Sequence, residues 1–321
     1  MTLALLRPDA DERYPRPFPP VFADAWGDDR HGLWANLVLA GGPGDDPSAS
    51  DVIQRFRWIE PGRFRMGSPE DEPERQDREG PQHWVKLTQG FWLADTACTQ
   101  ALWQAVMGTN PSRFTGDEAR PVERVSWEDV QGFLRRLEDL VPGCRADLPT
   151  EAEWEYACRA GTETPFSFGN QITPEQVNYN GNLPYADGAK GLYREETVPV
   201  RSLPPNPWGL YEMHGNVDEW CADGQRRYDS EDQVDPRGPD LPSDQDGAHR
   251  AVRGGSWSFG ARGARSAVRH AFHPGLAYDF LGFRPCLRSI EPSRDGSRPG
   301  GPAGRAPGGR PRPPPRDGAA R

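Results

Sequence analysis

The chain has 321 residues and a formal net charge of −10, which disfavours nucleic acid and anionic membranes as partners of the folded protein. Only 35% of residues are hydrophobic, against 36 glycines, 35 prolines and 11 tryptophans, a balance that excludes a helical bundle and suits a loop-rich α+β fold held by aromatics. Met1–Leu6 is too short for a secretory core and no apolar run reaches the length that spans a bilayer, so the expected location is cytoplasmic.

The first thirty residues, rich in Pro, Asp and Arg, are expected to be irregular. LWANLVL (Leu33–Leu39) and VIQRFRWI (Val52–Ile59) alternate partly and predict the strands of a β-hairpin joined by the Gly/Pro-rich GGPGDDPSAS. Further strands are predicted around Trp84–Leu87 and Phe91–Ala94, separated from the FRMGS strand by an acidic loop, Glu70–Glu79, that reads as a solvated charge run. Thr99 caps a short helix to Met107, with Leu102, Trp103, Val106 and Met107 as its buried stripe and Gly108 as its stop. Ser126 with Asp129, and Thr150 with Glu153, are capping-box pairs that open two longer helices. The first carries Val130, Phe133, Leu134 and Leu137 at helical spacing; the second runs through Trp154, Tyr156, Ala157 and Cys158 to Gly161. Both are expected to pack on a sheet of short antiparallel strands. Residues 162–289 show little periodicity and read as long loops and short strands. From Glu291 the text becomes a basic Arg/Pro/Gly-rich tail of disordered composition. The expected organisation is an N-terminal extension with a hairpin strand (1–55), a main domain (56–289) and a disordered tail (290–321).

Five scattered cysteines (Cys98, Cys144, Cys158, Cys221, Cys286) with no CxxC pair argue against zinc or a disulfide framework and read as buried thiols. His83, His214, His270 and His273 form no HExxH pair, there is no phosphate-binding glycine loop, and no GxSxG elbow surrounds Ser256. MHGNVDEW offers Glu219 and the carbonyls of a tight Gly215–Asn216 turn, which suit either a calcium site or a hydrogen-bonded turn.

Six segments then occur in order: MGSPEDE, RPVERVSWEDV, LPTEAEWEYACRAG, PPNPWGLYEMHGNVDEW, VRGGSW and LGFR. Together they resemble the formylglycine-generating enzyme (sulfatase-modifying factor) family over Phe56–Arg288. The resemblance implies a C-type lectin-like fold with sparse regular structure. It also implies a copper-dependent oxidase of protein cysteine, whose two metal-binding cysteines lie three and eight residues beyond the Ser of GGSW. Those positions are Phe259 and Ala264, neither of which can ligate copper(I), so copper is not expected and the chain is not expected to be an enzyme. The resemblance implies a structural calcium held by the main chain of Glu212, Gly215 and Val217 and by the Glu219 carboxylate. A second calcium site, at Asn178 and Tyr179, would need an acid where Leu192 stands and is expected to be lost.

Non-catalytic members of the family include variable proteins of diversity-generating retroelements, whose C-terminal stretch resembles RGGSW…RSAxR…LGFR. On that resemblance the exchangeable, ligand-binding positions are Ser258, Phe259, Gly260, Gly263, Val268, His270, Ala271, Phe272, His273, Tyr278, Asp279 and Phe280, with Trp257 at their edge. None is Trp, Met, Lys, Glu or Gln, the residues that NNY codons cannot encode. The arginines of the frame are expected to pair inward with carboxylates, while aromatic anchors among small polar residues suit a paratope-like face. The expected function is recognition of a protein or small ligand through the 257–280 surface. The alternatives are an oxidase with relocated metal ligands and a structural accessory to a partner.

Overall fold

The computed structural model describes residues 14–40, 50–240 and 247–289, with Pro242 and Gln245. The predicted tail and most of the hairpin connection, 41–49, lie outside the described residues. The strands are β1 (Ala25–Asp29), β2 (Gly32–Leu39), β3 (Val52–Ile59), β4 (Gly62–Met66), β5 (His83–Leu87), β6 (Phe91–Ala94), β7 (Cys144–Asp147), β8 (Asp218–Gly224), β9 (Gln233–Val234), β10 (Arg250–Arg253), β11 (His270–Phe272), β12 (Leu281–Phe283) and β13 (Cys286–Ser289). The helices are α1 (Gln100–Met107), α2 (Trp127–Leu140) and α3 (Glu151–Arg159).

The hairpin forms as expected, with Ala35 opposite Phe56 and Leu37 opposite Gln54. On β2, Leu33, Ala35 and Leu37 are buried in strict alternation, which fixes the register, because a one-residue slip would turn them to solvent. Two strands had no clear signal. β1, AWGDD, lies in the stretch expected to be irregular and pairs with β2; β7 lies in the link between α2 and α3. The hairpin is built into the main sheet, whose order is β1-β2-β3-β6-β13-β7, so β3 pairs with β6 and the C-terminal β13 closes against β6 and β7. A four-stranded sheet, β11-β10-β8-β12, carries the RGGSW segment, and a three-stranded sheet, β4-β5-β9, completes the set.

Each helix starts where its cap predicts. Thr99 accepts from the Leu102 amide, and both capping boxes are complete. α2 buries Val130, Phe133, Leu134 and Leu137 against a core where the Phe133 ring stacks on Trp103, 5.4 Å between centroids, and meets Phe283 edge-on at 5.1 Å. α3 is different: all nine of its residues are buried, three glutamates and one arginine among them. Such a helix is stable only if every charge is paired. Glu151 takes Arg269 through two bonds of 2.5 and 2.6 Å, and Glu153 takes Arg288 at 2.7 and 2.8 Å. Glu155 takes Arg253, the Arg159 Nε at 2.9 Å and the Gly67 amide at 2.8 Å.

The acidic loop departs from its reading as a solvated run. Glu72 and Glu79 are buried and hold Arg265, with Nη1 at 2.5 Å from Glu72 and 2.8 Å from Glu79, and Nη2 at 2.7 Å from Glu79. The partner arginine lies more than 180 residues away in sequence, which local charge density cannot reveal.

Two consequences can be measured. Glu155→Gln leaves Arg253 and Arg159 without full compensation in a dry interior, and it should cost about 3–5 kcal/mol in urea unfolding. Asp71→Asn, on the exposed side of the acidic loop, should change stability by no more than about 0.5 kcal/mol. Glu123 is fully buried; its Oε1 accepts from Phe114 N at 2.8 Å, its Oε2 has no partner, and burial pushes its carboxyl up to about 7. The folded chain therefore holds a proton there that the unfolded chain releases near 4.5, so this group's contribution to stability falls as pH rises from about 4.5 to 7. Glu123→Gln should flatten the pH–stability curve across that window.

Candidate functional site

β10 ends at Arg253 and the chain turns through Gly254 and Gly255, both with positive φ. The turn admits no side chain at Gly255, where a Cβ would lie 2.6 Å from the Gly263 carbonyl. Asp218 at the start of β8 fixes this turn by accepting from the Gly255 amide at 2.8 Å, and Trp257 N bonds to the Asn216 carbonyl at 3.0 Å. The chain then forms a 3-10 turn at Ala261–Ala264, returns along β11, and loops through Pro274 to β12.

The arginines of this stretch point inward. Arg253, Arg265, Arg269 and Arg284 are buried and each is paired with glutamate, as the frame reading expects. Arg262 alone among the arginines of residues 253–269 is exposed.

The predicted binding residues divide into two neighbouring groups. Phe259, Gly260, Gly263, Val268 and His270 line a cleft of about 720 Å³. Phe272, Tyr278 and Phe280 form an aromatic ridge, with Tyr278 stacked on Phe280 at 5.0 Å and 7° and Phe272 meeting Tyr278 at 5.8 Å. Phe259 joins the two, touching His270 at 5.7 Å and Phe280 at 5.2 Å. Tyr278 is exposed and the three phenylalanines are half-buried.

Other predicted positions serve the scaffold more than the face. Trp257 is buried between Phe114, edge-on at 5.3 Å, and Tyr193, stacked at 6.4 Å, and its Nε1 donates to the Asp279 carbonyl at 3.1 Å. Ala271 is half-buried, the Asp279 carboxylate pairs with Arg113, and Val268, although it borders the cleft, is only 4% exposed. The Ser258 hydroxyl meets that of Ser256 at 3.1 Å, and exposed His273 accepts from the Gly275 amide at 3.2 Å. The far wall of the cleft was not legible in the sequence: Asn182, Leu183 and Lys190 come from a loop without periodicity, and Glu74 and Gln76 from the acidic loop. Leu183 and Leu192, each 57% exposed, give this loop an apolar surface.

The positions where the family resemblance would need cysteines hold no thiol. Phe259 faces the cleft, while Ala264 is buried and its carbonyl meets the His214 Nδ1 at 2.7 Å. Burial also raises the five cysteine thiols, Cys144 to about 11 and Cys158 to about 12. Burial holds His214 neutral, at about 4, with Ser167 bonded to its Nε2 at 2.9 Å.

The calcium ligands implied by the resemblance can be tested on these contacts. Glu219 is committed elsewhere: Arg284 reaches it through Nη2 at 2.8 Å and Nε at 3.1 Å, and Trp154 Nε1 donates to it at 2.7 Å. The Glu212 side chain is buried as well, and burial pushes its carboxyl up to about 8. Of the implied ligands, the Glu219 carboxylate is thus already engaged, and a cation at the turn would have to share it with Arg284 and Trp154. Among the described residues no group of three or more His, Cys, Asp or Glu could hold a metal. No described helix is long and apolar enough to cross a membrane.

Comparison with known proteins places this architecture. The sulfatase-modifying factor enzyme 1-like domain matches residues 46–290. Formylglycine-generating enzyme from Streptomyces coelicolor is 37% identical over 195 residues, covering 57% of each chain. Serine/threonine-protein kinase pkn1 from Chlamydia pneumoniae is 35% identical over 77% of this chain and 40% of its own. The chain thus spans well under two thirds of the length of these relatives. Among solved structures, Treponema denticola variable protein 1 superposes with a TM-score of 0.62 at 26% identity, covering 79% of this chain and 99% of that one. These matches make the chain a member of the sulfatase-modifying factor enzyme 1-like family.

Proposed function

We propose that this protein is a non-catalytic member of its family that recognises a protein or small ligand through the cleft and aromatic ridge of residues 257–280. The observation that carries this reading is the exchange of the two metal-binding positions for Phe259 and Ala264 while the surrounding frame of buried ion pairs is complete. The frame holds the loops whether or not oxidase chemistry is present. On it, Phe259, Phe272, Tyr278 and Phe280 supply rigid apolar area at low entropic cost, and His270 and the backbone at Gly260 and Gly263 supply adaptable polar groups. The likeness to a variable protein supports display of exchangeable residues at these positions.

The oxidase alternative requires thiolate ligands for copper(I), and with every thiol buried and raised, stoichiometric thiol-dependent copper(I) binding is not expected. Titration of the reduced protein with copper(I) against a chromophoric competitor measures this; a tight one-to-one complex abolished by thiol alkylation overturns the reading. Deep sequencing of codons 250–290 across a population tests the display surface. Substitutions confined to the half-buried and exposed positions among 258–280, with the arginines and glycines of the frame unchanged, are the expected result. Substitutions spread evenly over the frame would contradict it. In the purified protein, Tyr278→Ser should change unfolding free energy by less than about 1 kcal/mol, because the ring is 38% exposed. Arg265→Met should cost several times more, because it strands Glu72 and Glu79.

A further inference from the structure

On the other side of the 72–80 loop lies a second cleft, of about 660 Å³, whose walls are unlike the first. Glu74 and Gln76 face the aromatic cleft, whereas Asp77 and Arg78 face this one, together with Arg226, Arg227, Tyr228 and Arg269. Four guanidinium groups therefore converge where one carboxylate is present, on a chain whose net charge is −10.

Their pairing separates them from the arginines of the frame. Arg269 is satisfied by Glu151 and lies over the Tyr228 ring at 3.7 Å. Arg226 meets neutral partners, Gln233 Oε1 at 2.8 Å and the Met66 sulfur at 3.6 Å, and its buried Nε has no hydrogen-bond partner. Among the described residues, the side chains of Arg78 and Arg227 form no ion pair. Burial, with repulsion from Arg269 and Arg262 and against attraction to Glu79, lowers the proton affinity of Arg78. Tyr228 is 8% exposed and its hydroxyl has no hydrogen-bond partner. A protein with an excess of acids that gathers three guanidiniums without a direct ion pair, with Asp77 the one carboxylate lining the same cleft, suits an anion from outside the chain.

We infer that the Arg78–Arg226–Arg227 cleft is a phosphoryl-binding site, separate from the 257–280 surface. Planar guanidiniums with several free N–H groups match the tetrahedral dianion of phosphate through paired, charge-assisted bonds. The volume falls in the range of small-molecule pockets and exceeds a single phosphate, which favours pyrophosphate or a small phosphate ester.

Calorimetric titration of the full chain with sodium pyrophosphate and, separately, with glycerol 2-phosphate, in chloride buffer of matched ionic strength, tests this. Saturable binding of pyrophosphate is expected, weakened about tenfold or more in Arg78→Gln/Arg227→Gln. Both changes lie at exposed positions, so the thermal midpoint without ligand should stay as in the parent chain. Binding of both probes assigns the site to the phosphoryl group wherever it is carried; binding of pyrophosphate alone assigns it to the free anion. Absence of saturable binding to either at millimolar concentration, or equal binding by the double variant, overturns the inference. Copper titration and codon variation at 257–280 do not enter these outcomes, so the two readings fail independently.

Discussion

Buried arginine–glutamate pairing is the constraint on which this fold depends. Regular structure is sparse, and loops that run from 162 to 217 and from 254 to 269 could not hold a shape through backbone ladders alone. α3 supplies Glu151, Glu153 and Glu155, to which Arg269, Arg288 and Arg253 return from the C-terminal third of the chain. Glu72 and Glu79 do the same for Arg265, and Glu219 for Arg284. Each pair spans a wide sequence separation, so each acts as a clamp between distant segments. In a dry interior such pairs contribute little net stability over an apolar core, but breaking one is costly because it strands the other charge. They therefore specify one arrangement of the loops rather than supply the bulk of the folding free energy, which comes from the aromatic clusters around Trp92, Trp103, Phe133 and Phe283.

This division of labour explains how one face of the molecule can differ chemically from its relatives without loss of the fold. The frame and the surface alternate along the same twenty residues. Arg253, Arg265 and Arg269 are buried in ion pairs, while Phe259, Gly260, Gly263 and His270 face the cleft. Because the anchoring residues point inward, side chains between them can change with little effect on the core. The same logic applies to the acidic loop, whose buried glutamates hold Arg265 while its other side separates an aromatic cleft from an arginine-lined one.

The chemistry at the metal positions follows from the same packing. Arg284 and Trp154 both bond to the Glu219 carboxylate, the one side-chain ligand that the motif implies for a cation at the GN turn. A motif conveys which residue types recur; it does not convey which of their oxygens a distant arginine has already taken.

Local rules determined much of this protein directly from its sequence. Thr99, Ser126 and Thr150 began their helices because side-chain caps act over three residues, and the alternation of β2 set its register because the strand period is two. The family was also legible, because each of its motifs is a short run of residues, and so was the inward role of the frame arginines, although not which glutamates they meet. Tertiary structure alone decided the partners. It buried Glu72 and Glu79 of the acidic loop, made β1 an edge strand, covered Trp257 with Phe114 and Tyr193, added Leu183 and Lys190 to the cleft, and left Arg78, Arg226 and Arg227 without a direct ion pair. The reason is physical: caps and periodicities act through a few neighbouring bonds, whereas the desolvation and pairing of a charge depend on groups that only the folded chain brings within hydrogen-bond reach.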